Sequence, residues 1–445
     1  MEWVMDSLKK FMNDEALIID DEVYLYSDII SKTNEWRKKI IIEEVENQEV
    51  VVLFGEVCVE MLCAMLALIL NKNIVVPISK ERKENLSQML KVSGADKMYV
   101  FKKDRVSLKP LKNEESNELL DIIRYEGEAG IIIFTSGSTG EGKCTLHRFS
   151  SLTYKIRKLE ERRALRTVVF LKLDHIGGIN TVFSTLLQGG TMVLIKDRTI
   201  KTVCKNIEKH QVELLPTTPT FLNMMMISGA CIEYDLSSLK LITYGTEPMP
   251  LTTLNAVNRQ LKNVKFKQTY GLTEMGIFPT QSKESSSVWM KIGGEGVEVK
   301  VKNNILHVRS PYAMVGYLNA SNPFDGEGWY DTGDEVKEEG DYIHILGRVE
   351  EIINVAGEKV YPAEVEGILS KIPNVKDVVV KGKKNPITGQ IVTAEFQVIE
   401  KENALDFKRR VMVYCNKELE SYKIPRIITI SEQPFMGINF KKKRL

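Results

Sequence analysis

The sequence predicts a multidomain α/β protein: a large N-terminal domain of doubly wound parallel sheets with a small β subdomain, then a small α+β C-terminal domain. Apolar strand patterns alternate with helical patterns up to about residue 285, which favours parallel sheets covered by helices on both faces. Short strands and turns replace this alternation afterwards. The length of 445 residues exceeds what one ordinary core supports.

These pattern changes predict the domain boundaries. We expect a large domain over residues 1–348, with subdomains at about 1–165, 166–285 and a β-rich 286–348. Residues 349–445 form the predicted small domain. The charged stretch from Arg348 to Glu351 at the boundary is suited to a hinge.

Composition narrows the function classes. Lys and Arg number 61 and Asp and Glu 60, so a net charge of +1 gives no electrostatic reason to expect a nucleic-acid partner. Six scattered cysteines favour reduced thiols in the cytoplasm over a disulfide framework or zinc site. The apolar run Met61–Leu70 is about half as long as a bilayer requires, so we expect no membrane span. The sequence leaves the oligomeric state open, a homodimer included.

Buried elements come first along the chain. The runs Val50–Phe54 and Ile74–Ile78 predict strands, and the apolar stretch Val57–Leu70 between them predicts a buried helix. Glu81–Leu90 has an amphipathic helical pattern. Ile131–Phe134 is then a short apolar run typical of a parallel strand.

Small polar residues follow this strand abruptly and form a candidate phosphate loop. Glycines let the backbone approach an oxyanion, hydroxyls and N–H groups donate to it, and a lysine adds positive charge. The candidate residues are Thr135, Ser136, Gly137, Ser138, Thr139, Gly140 and Lys143.

Three interpretations of this loop compete. Gly137–Lys143 has the spacing of a P-loop nucleotidase, but Cys144 stands where that motif needs a hydroxyl for magnesium. A polyphosphate cradle of another kind and a plain surface turn are the other two. The loop alone does not separate them.

Three further strand ends carry polar side chains. The strand Val168–Leu171 leads to His175, either a packed or exposed histidine or a functional one. The strand from Leu241 runs into Gly245, Thr246 and Glu247. After Lys267 come Tyr270, Gly271, Thr273 and Glu274, which offer a flat ring, a backbone turn, a hydroxyl and a hard carboxylate suited to magnesium. A helix N-cap is the alternative interpretation of Thr273 and Glu274.

The last third of the chain is β-rich and then α+β. Val297–Val301 and Ile305–Arg309 flank Asn303-Asn304 and predict a hairpin. Asp334 lies in a Thr-Gly-Asp turn. Beyond the boundary we expect strands at Asp377–Lys381, Ile391–Val398 and Ile427–Ile430 and a helix at about Glu402–Leu419.

Taken in order, these segments resemble the adenylate-forming superfamily, which includes acyl-CoA synthetases, stand-alone adenylation enzymes and firefly luciferase. The resemblance covers essentially the whole chain. It implies that the 135–143 loop holds the phosphates of ATP, that Gly245–Glu247 and Tyr270 lie beside adenine, and that Asp334 and Arg348 contact ribose or phosphate. It also implies that Glu274 holds Mg²⁺, that His175 walls the carboxylate pocket, and that a lysine near the C-terminus, best matched by Lys441, neutralises the reacting groups. Thr139, Glu274, His175 and Lys441 are thus the expected catalytic residues.

The implied activity is ATP-dependent activation of a carboxylic acid to an acyl-adenylate, followed by transfer to a thiol. CoA is the expected acceptor, and the phosphopantetheine of a carrier protein is the alternative. The small domain would rotate at Glu350 between the two steps and bring in the loop around Gly357. A catalytically silent relative remains a different hypothesis, because Gly142, Asn354 and Phe440 depart from the family pattern.

Two assignments stay open. Lys442 and Lys443 compete with Lys441. Ile176 aligns where amino-acid adenylating relatives carry an aspartate, which argues against an amino-acid substrate, although a small shift of register would place Asp174 there.

Overall fold

The computed structural model describes residues 1–103, 105–111, 117–135, 142–158, 165–433, 435 and 442. It confirms the predicted α/β architecture with sheets that contain parallel strands. Two seven-stranded mixed sheets, a six-stranded antiparallel sheet and a five-stranded sheet account for most strands.

The first seven-stranded sheet carries the middle of the chain together with its beginning. In spatial order its strands are β13 (Lys265–Gln268), β12 (Leu241–Tyr244), β11 (Leu214–Thr217), β9 (Thr167–Val169), β10 (Met192–Leu194), β1 (Glu15–Ile19) and β2 (Glu22–Leu25). Only β2 runs antiparallel to its neighbour. The predicted subdomain at about 1–165 therefore contributes strands to both large sheets, because the chain begins in this one before it crosses to the other.

The second seven-stranded sheet carries the candidate phosphate loop. Its strands, in spatial order, are β20 (Gly316–Tyr317), β8 (Cys144–Arg148), β7 (Gly130–Phe134), β4 (Ile74–Ser79), β3 (Val50–Gly55), β5 (Lys97–Lys102) and β6 (Arg105–Pro110). Strands β7, β4, β3 and β5 are parallel. The loop leaves the carboxyl end of β7, the edge of such sheets at which ligands bind.

The remaining strands form smaller sheets. The six-stranded sheet contains β16 (Thr280–Ser282), β17 (Met290–Ile292), β22 (Tyr342–Arg348), β21 (Tyr330–Glu339), β19 (Ile305–Arg309) and β18 (Glu298–Lys302), and a two-stranded hairpin contains β14 (Gly271–Leu272) and β15 (Gly276–Ile277). The five-stranded sheet contains β24 (Glu358–Val360), β23 (Ile353–Val355), β26 (Gly389–Val398), β25 (Val375–Asn385) and β27 (Ile427–Ile430).

Thirteen α-helices lie within the described ranges. They are α1 (Trp3–Lys9), α2 (Tyr26–Ile42), α3 (Val59–Leu70), α4 (Leu86–Val92), α5 (Glu118–Glu126), α6 (Phe149–Arg157), α7 (Ile176–Leu186), α8 (Ile200–His210), α9 (Pro219–Ile227), α10 (Ala230–Glu233), α11 (Leu251–Gln260), α12 (Pro362–Leu369) and α13 (Ala404–Glu418). None of these helices is long and apolar enough to cross a bilayer.

Local chemistry explains several boundaries. Thr218 accepts a hydrogen bond from the Phe221 N–H, and Pro219 opens α9, so a cap and a preset φ start that helix. Asn303 and Asn304 adopt φ of 53° and 63°, which turns β18 into β19 as predicted. The amphipathic stretch Glu81–Leu90 is a 3₁₀ turn over Lys80–Asn85 followed by α4.

Two core layers flank the first sheet. Phe266 and Ile242 pack with α8, α9 and α11 on one face. Val169 and Leu194 pack with α3 and α7 on the other. Helix α7 thus lies in the layer between the two large sheets, immediately after His175.

Contacts also join the predicted small domain to the rest. The Thr252 hydroxyl donates to the carbonyl oxygen of Gly367 at 3.1 Å. Lys359 pairs with the buried Glu335 at 2.7 Å. The boundary at residue 348 itself stays a prediction.

Candidate active site

The two ends of the candidate phosphate loop are held together. The Thr135 N–H donates to the carbonyl oxygen of Lys143 at 2.8 Å, and the Thr135 hydroxyl accepts from the Lys143 N–H at 3.1 Å. Five candidates between them, Ser136, Gly137, Ser138, Thr139 and Gly140, lie outside the described residues. The two ends of the loop, Thr135 and Lys143, therefore meet at one strand edge.

The exit of this loop has a structural reason for glycine. A Cβ on Gly142 would lie 2.4 Å from the Thr135 carbonyl oxygen, so a side chain would force the loop ends apart. Asn319 fastens the same exit, because its amide donates to the Gly142 carbonyl and accepts from the Cys144 N–H. The departure at Gly142 therefore fits this loop.

Glu274 lies beside the loop exit. The Tyr317 hydroxyl donates to Glu274 Oε1 at 2.6 Å, and the Lys143 ammonium lies 4.8 Å from the centre of the Tyr317 ring. Burial and the Glu274 carboxylate raise the pKa of Tyr317, so the phenol remains a donor. One ring thus joins the predicted magnesium ligand to the predicted phosphate-loop lysine.

Tyr270, Asp334 and Arg348 form one connected group, in which Tyr270 and Asp334 are buried and Arg348 is partly exposed. The Tyr270 hydroxyl donates to Asp334 Oδ2 at 2.6 Å, and Arg348 Nε lies 3.1 Å from Asp334 Oδ1. The Tyr270 ring packs on Phe278, with ring centres 6.0 Å apart and planes 15° apart. Burial, followed by the charge of Asp334, raises the pKa of Tyr270 well above its ordinary value.

Arg348 shows that these two groups meet. Burial of the guanidinium lowers its pKa, but Asp334, Tyr270, Glu274 and Tyr330 together raise it further than burial lowers it. Glu274 and Asp334 therefore act on the same guanidinium although they lie on different sheets. We call Glu274, Tyr317, Tyr270, Asp334 and Arg348 the carboxylate network.

The predicted adenine-side turn carries backbone strain. Thr246 has a φ of 71°, a conformation that a β-branched residue rarely adopts. A Cβ on the preceding Gly245 would lie 2.6 Å from the Thr269 hydroxyl, so the turn approaches the next strand end closely. Glu247 is buried, and its Oε1 accepts from the Thr220 N–H at 2.9 Å.

His175 begins α7, and its Nδ1 accepts from the Gly177 N–H at 3.0 Å. It is half-buried. The neighbouring Asp174 is engaged elsewhere, because its Oδ2 accepts from the Ser79 hydroxyl at 2.6 Å and lies 3.1 Å from Arg82 Nε. Ile176 is buried and lines a small pocket between α6 and α7. Asp174 is thus a structural partner of Ser79 and Arg82.

The C-terminal lysines separate into two kinds. Lys441 and Lys443 lie outside the described residues. Lys442 is buried in the small domain, where its ammonium lies 2.9 Å from Asp377 and 3.5 Å from Glu366 and donates to the Val378 carbonyl oxygen at 2.7 Å. In this arrangement the Lys442 ammonium is therefore engaged within the small domain, and the choice among the three lysines stays a prediction.

The predicted hinge and second-step loop are both exposed. Glu350 lies in a 3₁₀ turn, Val349–Glu351, directly after β22. Asn354 Oδ1 accepts from the Gly357 N–H at 3.0 Å, and Gly357 has a φ of 93°. Asn354 thus shapes the β23–β24 turn.

Four site residues were not found from the sequence: Tyr317, Tyr330, Asn319 and His147. Tyr317 reaches Glu274 across 43 positions, a distance at which periodicity carries no signal. His147 is fully buried beside Thr273, and burial lowers its pKa to about 4 although the Thr273 backbone opposes this. The imidazole is therefore neutral at pH 7 and lies buried near the turn that carries Thr273 and Glu274.

Comparisons with known proteins agree with this arrangement. The profile described as "AMP-binding enzyme" matches residues 5–318, and its C-terminal domain profile matches residues 364–434. A 2-succinylbenzoate–CoA ligase of Bacillus licheniformis is 29% identical over 67% of this chain and 65% of its own length. An indoleacetate–CoA ligase of Aromatoleum aromaticum is 28% identical over 70% of this chain and 66% of its own length. The aligned region thus spans slightly less than two-thirds of each relative.

Longer matches also occur. A 2-succinylbenzoate–CoA ligase of Bacillus subtilis is 25% identical over 95% of this chain and 92% of its own length. A crystal structure of an anthranilate CoA ligase with anthranoyl-AMP superposes with a TM-score of 0.81 at 19% identity, covering 99% of this chain and 95% of that one. The structural likeness shows a shared fold.

Proposed function

Because this chain belongs to the AMP-binding enzyme family, we propose that it is an AMP-forming ligase that joins a carboxylic acid to CoA. The acid attacks the α-phosphorus of ATP and pyrophosphate leaves, so that an acyl-adenylate forms. The CoA sulfur then attacks the acyl carbon and AMP leaves. The relatives' names, all acid–CoA ligases, support CoA as the acceptor.

The first step brings two anions together, so its barrier is largely electrostatic repulsion and loss of freedom. In our proposal the backbone and hydroxyls between Thr135 and Lys143 hold the phosphates. Asp334 accepts from the ribose hydroxyls with lone pairs that Tyr270 and Arg348 leave available. Lys441 brings positive charge to the reacting carboxylate and phosphate.

The described residues fit a magnesium ion held through ATP. Glu274 offers a half-buried carboxylate whose orientation Tyr317 fixes, and hard oxygen donors of this kind suit Mg²⁺. When bound, the ion would offset negative charge on the phosphates. The Tyr317 hydroxyl keeps the carboxylate in place.

One observation carries the proposal: Lys143, Glu274 and the cross-strand pair of Asp334 and Arg348 come from three distant segments and lie close together. A P-loop nucleotidase would give no reason for Asp334 and Arg348 to lie beside the loop exit. A surface turn would give none for Glu274.

Acid-dependent exchange of labelled pyrophosphate into ATP tests the activity. The panel contains 2-succinylbenzoate, indoleacetate, 4-coumarate, anthranilate and fatty acids of several lengths. We expect exchange with at least one acid and release of a CoA thioester when CoA is added. Exchange without thioester formation would favour a carrier-protein acceptor. A protein that binds ATP but supports no exchange would be the silent relative.

A pair of lysine variants tests the tail. Lys441→Ala should lower exchange by about 10³-fold, the scale seen when one transition-state charge contact is removed. Attack of CoA on preformed acyl-adenylate should be almost unchanged, because that step does not need this charge.

Lys442→Met is the matched comparison. It leaves Asp377 and Glu366 without their cation, so it should lower the melting temperature while exchange, measured below that temperature, stays near the parent value. Equal loss of exchange in both variants would show that the tail assignment is wrong.

The two-step scheme needs the small domain to move. We propose that rotation at Glu350 withdraws Lys441 and brings the Asn354–Gly357 turn toward the acyl-adenylate. Substitution of Glu350 by proline should therefore slow thioester formation more than exchange.

We also place the enzyme in the cytoplasm. All six cysteines are free thiols. Burial raises the pKa of Cys63 and Cys204 to about 12 and that of Cys415 to about 11, which suits inert reduced thiols.

A further inference from the structure

Two lysines face the interior layer beside α7. In the first sheet, register relates Lys265 of β13 through β12 and β11 to Thr167 of β9, so Lys267 lies on the same face as Val169. That face packs with α7. Lys155 reaches the same layer from α6, because its ammonium donates to the carbonyl oxygen of Ile277, and Ile277 pairs with Gly271 just after β13. We call these two residues the lysine pair.

Neither lysine has a counter-charge among the residues that the structure describes. Lys155 Nζ donates to the Ile277 carbonyl oxygen at 2.7 Å. Burial, and then the charge of Lys267, lower the pKa of Lys155 to about 7, and burial also lowers the pKa of Lys267. A desolvated ammonium is costly unless it is paired, so this layer is electrostatically incomplete.

A narrow pocket lies beside Lys155, between elements that also carry residues of the proposed site. Its walls come from α6, α7 and the β14–β15 hairpin, and include Asn180, Phe183, Gly276 and Ile277. Helix α7 starts at the residue after His175, and the hairpin carries Thr273 and Glu274 in its turn. The pocket volume of about 10 Å³ is room for one water, so a ligand must widen it, and a compact one fits best.

We propose that the acid activated by this enzyme carries a second anionic group, which the lysine pair recognises behind α7. This inference rests on the proposed function, because the first carboxylate of the same acid is the one that reacts. The second group would supply the charge that Lys155 and Lys267 lack and would take Asn180 as a further donor. An acid without that group would leave the two cations unmatched.

Matched acids measure this preference. The probes are glutarate, adipate, phthalate and 2-succinylbenzoate, each compared with its monomethyl ester, in acid-dependent pyrophosphate exchange. The parent enzyme should favour at least one diacid over its ester by about 100-fold in kcat/KM, because a site built for a polar group strongly rejects its absence. Equal or better use of the esters and of simple monoacids would overturn the proposal.

Variants assign the preference to residues. Lys155→Met and Lys267→Met should each raise KM for the preferred diacid by about 10- to 100-fold and leave the ester unchanged, since one charge-assisted contact is removed. Lys262→Met replaces an exposed lysine near the same strand and should change neither. Equal effects of Lys155→Met on diacid and ester would mean a structural lysine.

Thermal shift separates this inference from the proposed function. A diacid added with AMP should raise the melting temperature of the parent, and its monoester should not. That result without any exchange would keep the diacid site and reject the ligase. Exchange with monoacids, without a diacid-specific shift in melting temperature, would support the ligase activity and reject the diacid site.

Discussion

The carboxylate network and the lysine pair are both partly buried charge clusters, yet their charges are paired to different degrees. In the network, Asp334 has both a phenol and a guanidinium, and Glu274 has a phenol. In the lysine pair, a carbonyl oxygen accepts from Lys155, and two cations face one another. One cluster is satisfied by the protein, whereas the other lacks a negative charge within the described ranges.

This difference indicates how the nucleotide end and the acid end of the proposed site are built. The nucleotide is the same in every turnover of an adenylate-forming enzyme, so its contacts can be fixed in advance by the fold. The acid distinguishes one family member from another. A charge cluster that only the correct ligand neutralises discriminates strongly between ligands. A wrong ligand leaves the charges of the cluster unpaired.

Asp334→Asn should break the satisfied cluster and give the largest effect. The amide removes the negative charge beside Arg348 and leaves a half-exposed guanidinium without its closest partner. We expect the free energy of unfolding to fall by about 3 kcal/mol, the upper end of the range for a hydrogen bond to a charged group, because Asp334 is buried but the Arg348 side chain is 39% exposed. Chemical denaturation measures the change, and KM for ATP should rise in the same variant.

Asp341→Asn provides the control for that prediction. Asp341 pairs with Lys291 at 2.6 Å on the surface, where such pairs contribute about 0–1 kcal/mol. Equal losses in the two variants would show that the carboxylate network is no more tightly coupled than a surface ion pair.

The lysine pair should respond in the opposite direction. Lys155→Met removes a desolvated charge, so we expect the ligand-free protein to gain about 1–3 kcal/mol. Lys155 has a pKa of about 7 in the folded protein against 10.5 ordinarily. Between those pH values the unfolded chain binds more protons, so this group makes stability rise with pH.

The stability difference between Lys155→Met and the parent should therefore depend on pH. The advantage of Lys155→Met over the parent should be greatest below pH 7 and should shrink as pH rises toward 10. Melting temperatures from pH 6 to 10 measure it, with Lys262→Met expected to run parallel to the parent. A constant difference across this range would contradict the assigned titration.

Tyr317→Phe should give the smallest change in stability. Loss of the donor to Glu274 Oε1 should cost about 1 kcal/mol. The concentration of Mg²⁺ needed for half-maximal exchange should rise, because the carboxylate is less well oriented. Tyr342→Phe is the control, since its hydroxyl makes no hydrogen bond in the described part of the chain. An unchanged Mg²⁺ requirement in Tyr317→Phe would separate Tyr317 from metal binding.

Local patterns predicted the elements well where one physical signal dominated. The run ending at Leu70 and the hairpin at Asn303-Asn304 have strong local preferences, and both predictions are confirmed. Pairing between distant strands has no such signal. The junction of β1 with β10 joins residues 15–19 to 192–194 and was therefore not predicted.

The site divides in the same way. Strand ends that carry Thr135, Gly245, Tyr270 and Glu274 are visible because small and polar residues interrupt apolar runs. Tyr317 and the lysine pair depend on which residues the fold brings opposite one another. From the sequence, a lysine in an amphipathic helix, such as Lys155, is expected to be solvated. The structure shows instead that its ammonium donates to the Ile277 carbonyl oxygen.

The contacts that hold Lys442 affect the conformational entropy that each catalytic cycle would cost. A cation on a flexible tail would lose conformational entropy each time a new acid was bound. Asp377, Glu366 and Val378 instead dock the adjacent residue once, during folding. Domain rotation would then carry Lys442 already docked, and the cost of ordering this residue would arise once for each protein molecule, not with each turnover.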